Sequence, residues 1–316
     1  MLYKLDNVSK WKGRDEMAWL LLLTAIMVWI ILFLRTRLTF KFGVSPKVLE
    51  IQPIKGLKKL SEDLEHSLTR SYMENVEERV RRENKLRENE YEWRLLDLKR
   101  YFVLTSLLKE SPMFSVKVDE LWHQMLMFTR EYKDFSHKYL GSTLHHSPNV
   151  KGKSNPDLRG FFDWVYAELF LIRKENIYLY KGFFRHPVHP TIIEDFKNLA
   201  EDDLLNRYFK TDTKYHTTVY ALITAMKKSV KKVRDYQKST IYDKMKKSKR
   251  EQKFNSMLIP YLSVSYFHYA EFSSYMKMSS DSSASCTSCG TGSVFCSSDS
   301  ACSSDSSCSS CGGGSD

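Results

Sequence analysis

The first 285 residues contain no cysteine; all six (Cys286, Cys289, Cys296, Cys302, Cys308 and Cys311) fall in the last 31 residues. This excludes a disulfide framework or a thiolate-ligated metal from the body of the chain, which must be stable by core burial. Glycine is also scarce: twelve in 316 residues, five of them after residue 278. No glycine-rich phosphate loop, dinucleotide fingerprint, H-E-x-x-H or G-x-S-x-G is present. There is no internal repeat. These absences weigh against an enzyme of a recognised class and toward a binding or scaffold module.

What is present begins with one long apolar run. "MAWLLLLTAIMVWIILFL", residues 17–34, has 18 residues and no charge. At ~1.5 Å per residue a helix of that length approaches a bilayer's hydrocarbon thickness. Arg35 and Arg37 follow it, with no small-x-small cleavage site. The run is expected to be a single-pass transmembrane anchor behind an N-terminal flank, 1–16. Lys and Arg are balanced on its two sides, and Lys55, Lys58 and Lys59 tip the balance toward a cytoplasmic C-terminal body.

Net charge is +11. Residues 279–316 contain four Asp and no Lys or Arg, so the rest of the chain carries +15. Such a body suits an anionic partner, and for a tethered chain the lipid headgroups of the cytoplasmic leaflet are the nearest. Nucleic acid is the weaker candidate, because no stacking motif or recognised binding module accompanies the charge. The sequence names no protein partner.

Residues 35–56, with Gly43, Pro46, Pro53 and Gly56, read as a linker containing a short strand-like "KVLEIQPI". Helical periodicity begins at Leu57. Residues 57–110 are expected to form one long helix or a hairpin, solvated in its charged first half and buried from Trp93 onward. Ser115 is the expected N-cap of a helix over 116–139, and Gly141 its stop. "LRGFFDWVYAELFLIRKE", 158–175, reads as a buried helix and 176–181 as a short strand. Helices are expected again over 191–210 and from about Thr217, where Val219, Leu222, Ile223, Met226, Val230 and Val233 form an apolar stripe. The fold class is therefore mainly α, with a compact helical domain over 57–278. The tail, 279–316, has 17 Ser in 38 residues and is expected to be disordered. Its Cys286/Cys289 and Cys308/Cys311 pairs have zinc-like spacing, yet are more simply low-complexity sequence.

"VDELWHQMLMFTREYKDFSHKYLGSTLHH", Val118 to His146, holds four of the nine histidines. On a helix Asp119 and His123 are i,i+4 neighbours whose side chains meet. If the chain turns back after Gly141, His145 or His146 joins them, and three N/O ligands would leave a divalent metal such as zinc an open position. The plainer reading is a local Asp–His bond with capping histidines. His186 and His189, in "RHPVHP", are weaker candidates.

Val118, Asp119, Trp122 and His123, then Tyr132 and Phe135, then Gly141, His145, His146 and Pro148, spell V-D-x-x-W-H, Y-x-x-F and G-x-x-x-H-H-x-P. In these motifs, and in the preceding apolar helix, the stretch 93–150 resembles the glycine-rich domain-containing protein-like family. That family has no established reaction to transfer. The resemblance makes Asp119, Trp122, His123, His145 and His146 site candidates without assigned roles. Two functional readings follow: a binding or scaffold module at the anionic membrane surface, or a metal-dependent enzyme using Asp119, His123 and one of His145 and His146.

Overall fold

Helical periodicity sets where each element begins, and packing decides where it breaks. The computed structural model describes residues 19–31, 40–146 and 156–276. Helix α1 covers residues 19–31. The body follows as α2 (Leu57–Ser67), α3 (Arg70–Glu83), α4 (Glu90–Leu107), α5 (Val116–Leu126), α6 (Thr129–Leu140) and α7 (Pro156–Leu169). Next come α8 (Lys174–Leu179), α9 (Pro190–Asn198), α10 (Glu201–Tyr208), α11 (His216–Val230), α12 (Lys238–Glu251), α13 (Leu258–Phe267) and α14 (Phe272–Met276). The protein is mainly α. Among the described residues there is no strand, only the isolated bridges Ile51–Phe170 and Leu108–Phe209. The strand expected at 176–181 lies largely within α8, and "KVLEIQPI" contributes only the Ile51 bridge.

Residues 57–107 are neither one helix nor a simple hairpin, but three helices. Leu68 breaks the first from the second with an extended backbone. Asn84 leaves the second, and Asn89 enters α4 at φ 58, a left-handed conformation asparagine tolerates. The charged half is not a solvated stalk. Tyr72, Val76 and Val80, each four residues apart, are buried along α3. Tyr72 Oη donates to the Met125 carbonyl (2.9 Å) and Arg79 Nε to Gln124 Oε1 (2.7 Å), fastening α3 to α5.

The 116–139 helix is likewise two helices with a corner at 127–128. Phe128 leaves helical geometry at ψ 69 and sets its ring 6.1 Å from that of Tyr72. Packing of this half-buried ring against the core accounts for a corner that no glycine or proline announces. Ser115 does cap α5, accepting from the Val118 amide at 3.3 Å. Gly141 does end α6, at φ 78. Residues 191–210 also divide, into α9 and α10.

Helix α4 is the central element, buried on nearly every side and packed against α2, α5 and α8. Its Arg100 is fully buried. Nε and Nη2 donate to the Leu49 carbonyl (3.0 and 2.7 Å), and Nη1 donates to Tyr166 Oη (2.9 Å) and the Leu171 carbonyl (3.0 Å). Asp97, also fully buried, accepts from Tyr166 Oη (2.5 Å) and Asn176 Nδ2 (3.0 Å). Burial pushes the Asp97 carboxyl above its ordinary range despite Arg100 beside it. One arginine thereby ties the linker, α4 and α7 together, and its neighbour Asp97 adds α8. A partly satisfied cluster at this depth would destabilise the fold, so nearly complete pairing is what keeps it.

Among the described residues no helix is long and apolar enough to cross a membrane. Residues 17–18 and 32–34 of the expected span lie outside the described residues, as do all of 1–16, the tail with its cysteine pairs, and Pro148. Over residues 19–31 every position is exposed, including Trp19, Leu21, Met27 and Trp29.

Candidate functional site

Helix α5 places Asp119 and His123 one turn apart, and the chain leaving α6 supplies the third member. Gly141 turns the chain back, and the Leu144 carbonyl accepts from Tyr132 Oη at 2.7 Å. The same hydroxyl accepts from Trp122 Nε1 at 3.0 Å. Tyr132 is thus a clasp: an oxygen that donates once and accepts once joins α5, α6 and the returning chain. Trp122 is held in turn by the rings of Tyr101 (5.3 Å) and Phe102 (5.7 Å) of α4.

Two residues past the clasp, the His146 ring meets the Trp122 indole edge to face, with centroids 4.4 Å apart. Its Nε2 lies 2.9 Å from Asp119 Oδ1, and its side chain is 8% exposed. His123 lies on the outer side. Its Nδ1 is 2.9 Å from the Asp119 carbonyl and 3.6 Å from Oδ2, its side chain is 49% exposed, and its ring centroid is 4.4 Å from that of His146. Ligand-capable atoms of Asp119, His123 and His146 all lie within 4.8 Å of one another. Burial, then the negative charge of Asp119, pushes the Tyr101 hydroxyl well above its ordinary range.

Of the expected site residues, the structure brings together Asp119, His123 and His146, with Trp122 and Tyr132 behind them. It leaves His145 exposed and outside the cluster. His189 caps α9 through Nδ1, which accepts from the Thr191 amide (3.3 Å), and so is structural. His186 is exposed, and partial desolvation followed by the charges of Arg159 and Arg185 lowers its pKa. The clasp was not predicted, because nothing in the spacing of Tyr132 shows that its hydroxyl reaches both an indole and a carbonyl.

Two chemistries suit this arrangement. A proton on His146 Nε2 makes a hydrogen bond to Asp119, and a cation in its place makes a two-imidazole, one-carboxylate ligand set.

A second feature lies elsewhere. Residues 227–253 hold twelve Lys or Arg against Asp235, Asp243 and Glu251, a net +9 out of the chain's +11. Lys228, Lys231, Lys246, Lys247 and Lys249 are exposed, and none makes an ion pair among the described residues. Helix α12 buries only Ile241 and Ser248, so most of it faces outward, Tyr242 included.

No curated protein and no solved structure matches the chain. Residues 63–167, roughly a third of its length, match the model of a family described as UCP032817-like, and this stretch contains Asp119, His123, His146 and the clasp but not the basic segment.

Proposed function

We propose that the chain is a membrane-tethered helical module whose basic segment, 227–253, lies on an anionic lipid surface. The observation that carries this reading is the exposure of an apolar helix at 19–31, within an 18-residue run without charge. Large apolar side chains left in water cost ~1.5–3 kcal/mol each relative to burial. A bilayer around 17–34 removes that cost, and the excess of Lys55, Lys58 and Lys59 favours a cytoplasmic body. Tethering raises the body's effective concentration at the surface, and each basic residue near anionic headgroups contributes about 1 kcal/mol. The resemblance of 93–150 to the glycine-rich domain-containing protein-like family belongs to this proposal. It adds no activity, and the module is a binding module rather than an enzyme.

Two measurements test it. The full chain, expressed with membranes, should resist alkaline carbonate extraction, and release into the supernatant would remove the anchor from the reading. Residues 40–276, which lack the apolar run, should float with phosphatidylserine vesicles at low salt and not with neutral ones. They should come off as salt rises. Failure to float with either vesicle would end the headgroup reading.

A further inference from the structure

The buried carboxylates of this fold show what an ordinary acid does here. Glu90 faces Arg94 (2.7 Å) and Lys117 (2.5 Å), Asp97 faces Arg100 (3.9 Å), and Asp163 faces Arg159 (2.8 Å). Asp119, with its side chain 22% exposed, has no Lys or Arg partner among the described residues and takes two imidazoles instead. A single Asp–His hydrogen bond accounts for His146. It does not account for a second histidine brought against the first, since no hydrogen bond joins the two rings.

We propose that Asp119, His123 and His146 bind one divalent transition-metal ion, of the borderline class that includes Zn2+ and Co2+. The ion takes two imidazole nitrogens and a carboxylate oxygen and leaves at least one position open to water. Calcium and magnesium want six or more oxygens and fit this set poorly.

The distances support closure around one ion. Metal–ligand bonds of about 2.0–2.2 Å put neighbouring ligand atoms of a tetrahedron roughly 3.3–3.6 Å apart. The Asp119–His146 pair, at 2.9 Å, is already near that spacing, and one ligand atom from each of Asp119, His123 and His146 lies within 4.8 Å of the others. Whatever movement remains falls to His123, which is exposed and can swing. His146 is held by the clasp and by the Trp122 face. The His123 Nδ1–H, donating to the Asp119 carbonyl, fixes the tautomer that leaves Nε2 as a lone pair. This is the supporting contact that ligating histidines usually have. On binding, the ion replaces the proton between His146 Nε2 and Asp119. This inference is independent of the membrane reading.

The test uses the full chain in detergent, with its six cysteines changed to serine so that the tail holds no thiolate. After chelator treatment and dialysis it is titrated with Zn2+ by calorimetry, with elemental analysis of the loaded protein. One equivalent per chain is expected. Asp119→Asn, His123→Ala and His146→Ala should each weaken binding by about 100-fold or more, and His145→Ala, next to the cluster but outside it, should not. Co2+ should give a visible absorption band that His123→Ala abolishes. No saturable binding overturns the proposal, and so does an equal loss in His145→Ala. Should His146→Ala fail to fold, the exposed His123 still decides the matter, because its removal disturbs no core.

Discussion

Helix α4 and the segment 227–253 are both rich in charge and use it in opposite ways. In α4 the charges point inward and are matched. Arg100 makes bonds to two carbonyls and a hydroxyl, and Glu90 is held by Arg94 and Lys117. Burial works to raise the Glu90 pKa, yet hydrogen bonds from those two cations overcome it and hold the carboxyl below its ordinary range. In 227–253 most of the charges point outward, and Lys228, Lys231, Lys246, Lys247 and Lys249 have no ion-pair partner among the described residues. Charge inside a fold fixes which elements meet, because a misplaced partner leaves a buried ion uncompensated. Charge outside fixes nothing within the fold and is available to something beyond it. The family match divides along the same line, covering α4 and stopping before the basic segment.

The comparison breaks most decisively at Arg100. Arg100→Met keeps much of the volume but strips the donors from the Leu49 and Leu171 carbonyls and leaves Asp97 without a counter-charge. The expected loss is about 3–5 kcal/mol, the usual cost of removing one partner of a buried pair. Urea denaturation followed by tryptophan fluorescence measures it. A loss under about 1 kcal/mol would show that the inward charges do not organise the fold.

Asp163 sharpens the same point through pH. The carboxyl is fully buried; it accepts from Arg159 Nε at 2.8 Å and from the Phe184 amide at 2.8 Å. Burial outweighs these bonds and raises its pKa from 3.8 to about 6. The folded chain therefore holds this proton in a window where the unfolded chain has lost it. The stability it contributes is present below the unfolded pKa and lost as pH rises through about 6. Asp163→Asn cannot titrate. Its stability relative to wild type should rise by about 2–2.5 kcal/mol between about pH 4 and pH 7. Denaturation curves of both proteins across that range give the difference directly, and a flat difference would mean that Asp163 is not shifted.

The clasp comes next in size. Tyr132→Phe removes one hydroxyl that serves two bonds and leaves Trp122 Nε1 and the Leu144 carbonyl to find other partners. About 1–3 kcal/mol of stability should go. Amide exchange should quicken in 141–146 more than in α5. If the proposed metal site is correct, its Zn2+ affinity should fall about 10–100-fold, as when outer supports of a ligand are removed.

Much of this region was legible in the sequence, and the reasons are local. Ser115 and Gly141 act through their own backbone chemistry, so cap and stop fell where expected. The i,i+4 spacing of Asp119 and His123 needs only a helix to bring them together. The stripe at Val219, Leu222, Ile223, Met226 and Val230 is buried as its period implies. What periodicity could not supply were facts about the third dimension. The corner at Phe128 depends on a ring from α3. The choice of His146 over His145 depends on the angle of the returning chain, which Tyr132 sets through Leu144. The solvated reading of α3 failed because three apolar residues among many charges were enough to bury one face.

The smallest effect on folding belongs to the outward charges, and it is the most informative about function. Lys246 and Lys247 are exposed on α12 without ion-pair partners among the described residues. Changing both to Glu should move stability by no more than about 0.5 kcal/mol, since nothing inside the fold uses them. It also takes the segment's net charge down by four. At about 1 kcal/mol per charge near an anionic surface, partitioning of residues 40–276 onto phosphatidylserine vesicles should drop at least tenfold. Neutral vesicles should show no change. Unaltered folding with lost partitioning would separate the two uses of charge that α4 and α12 represent. Loss of both would mean that the basic segment belongs to the core after all.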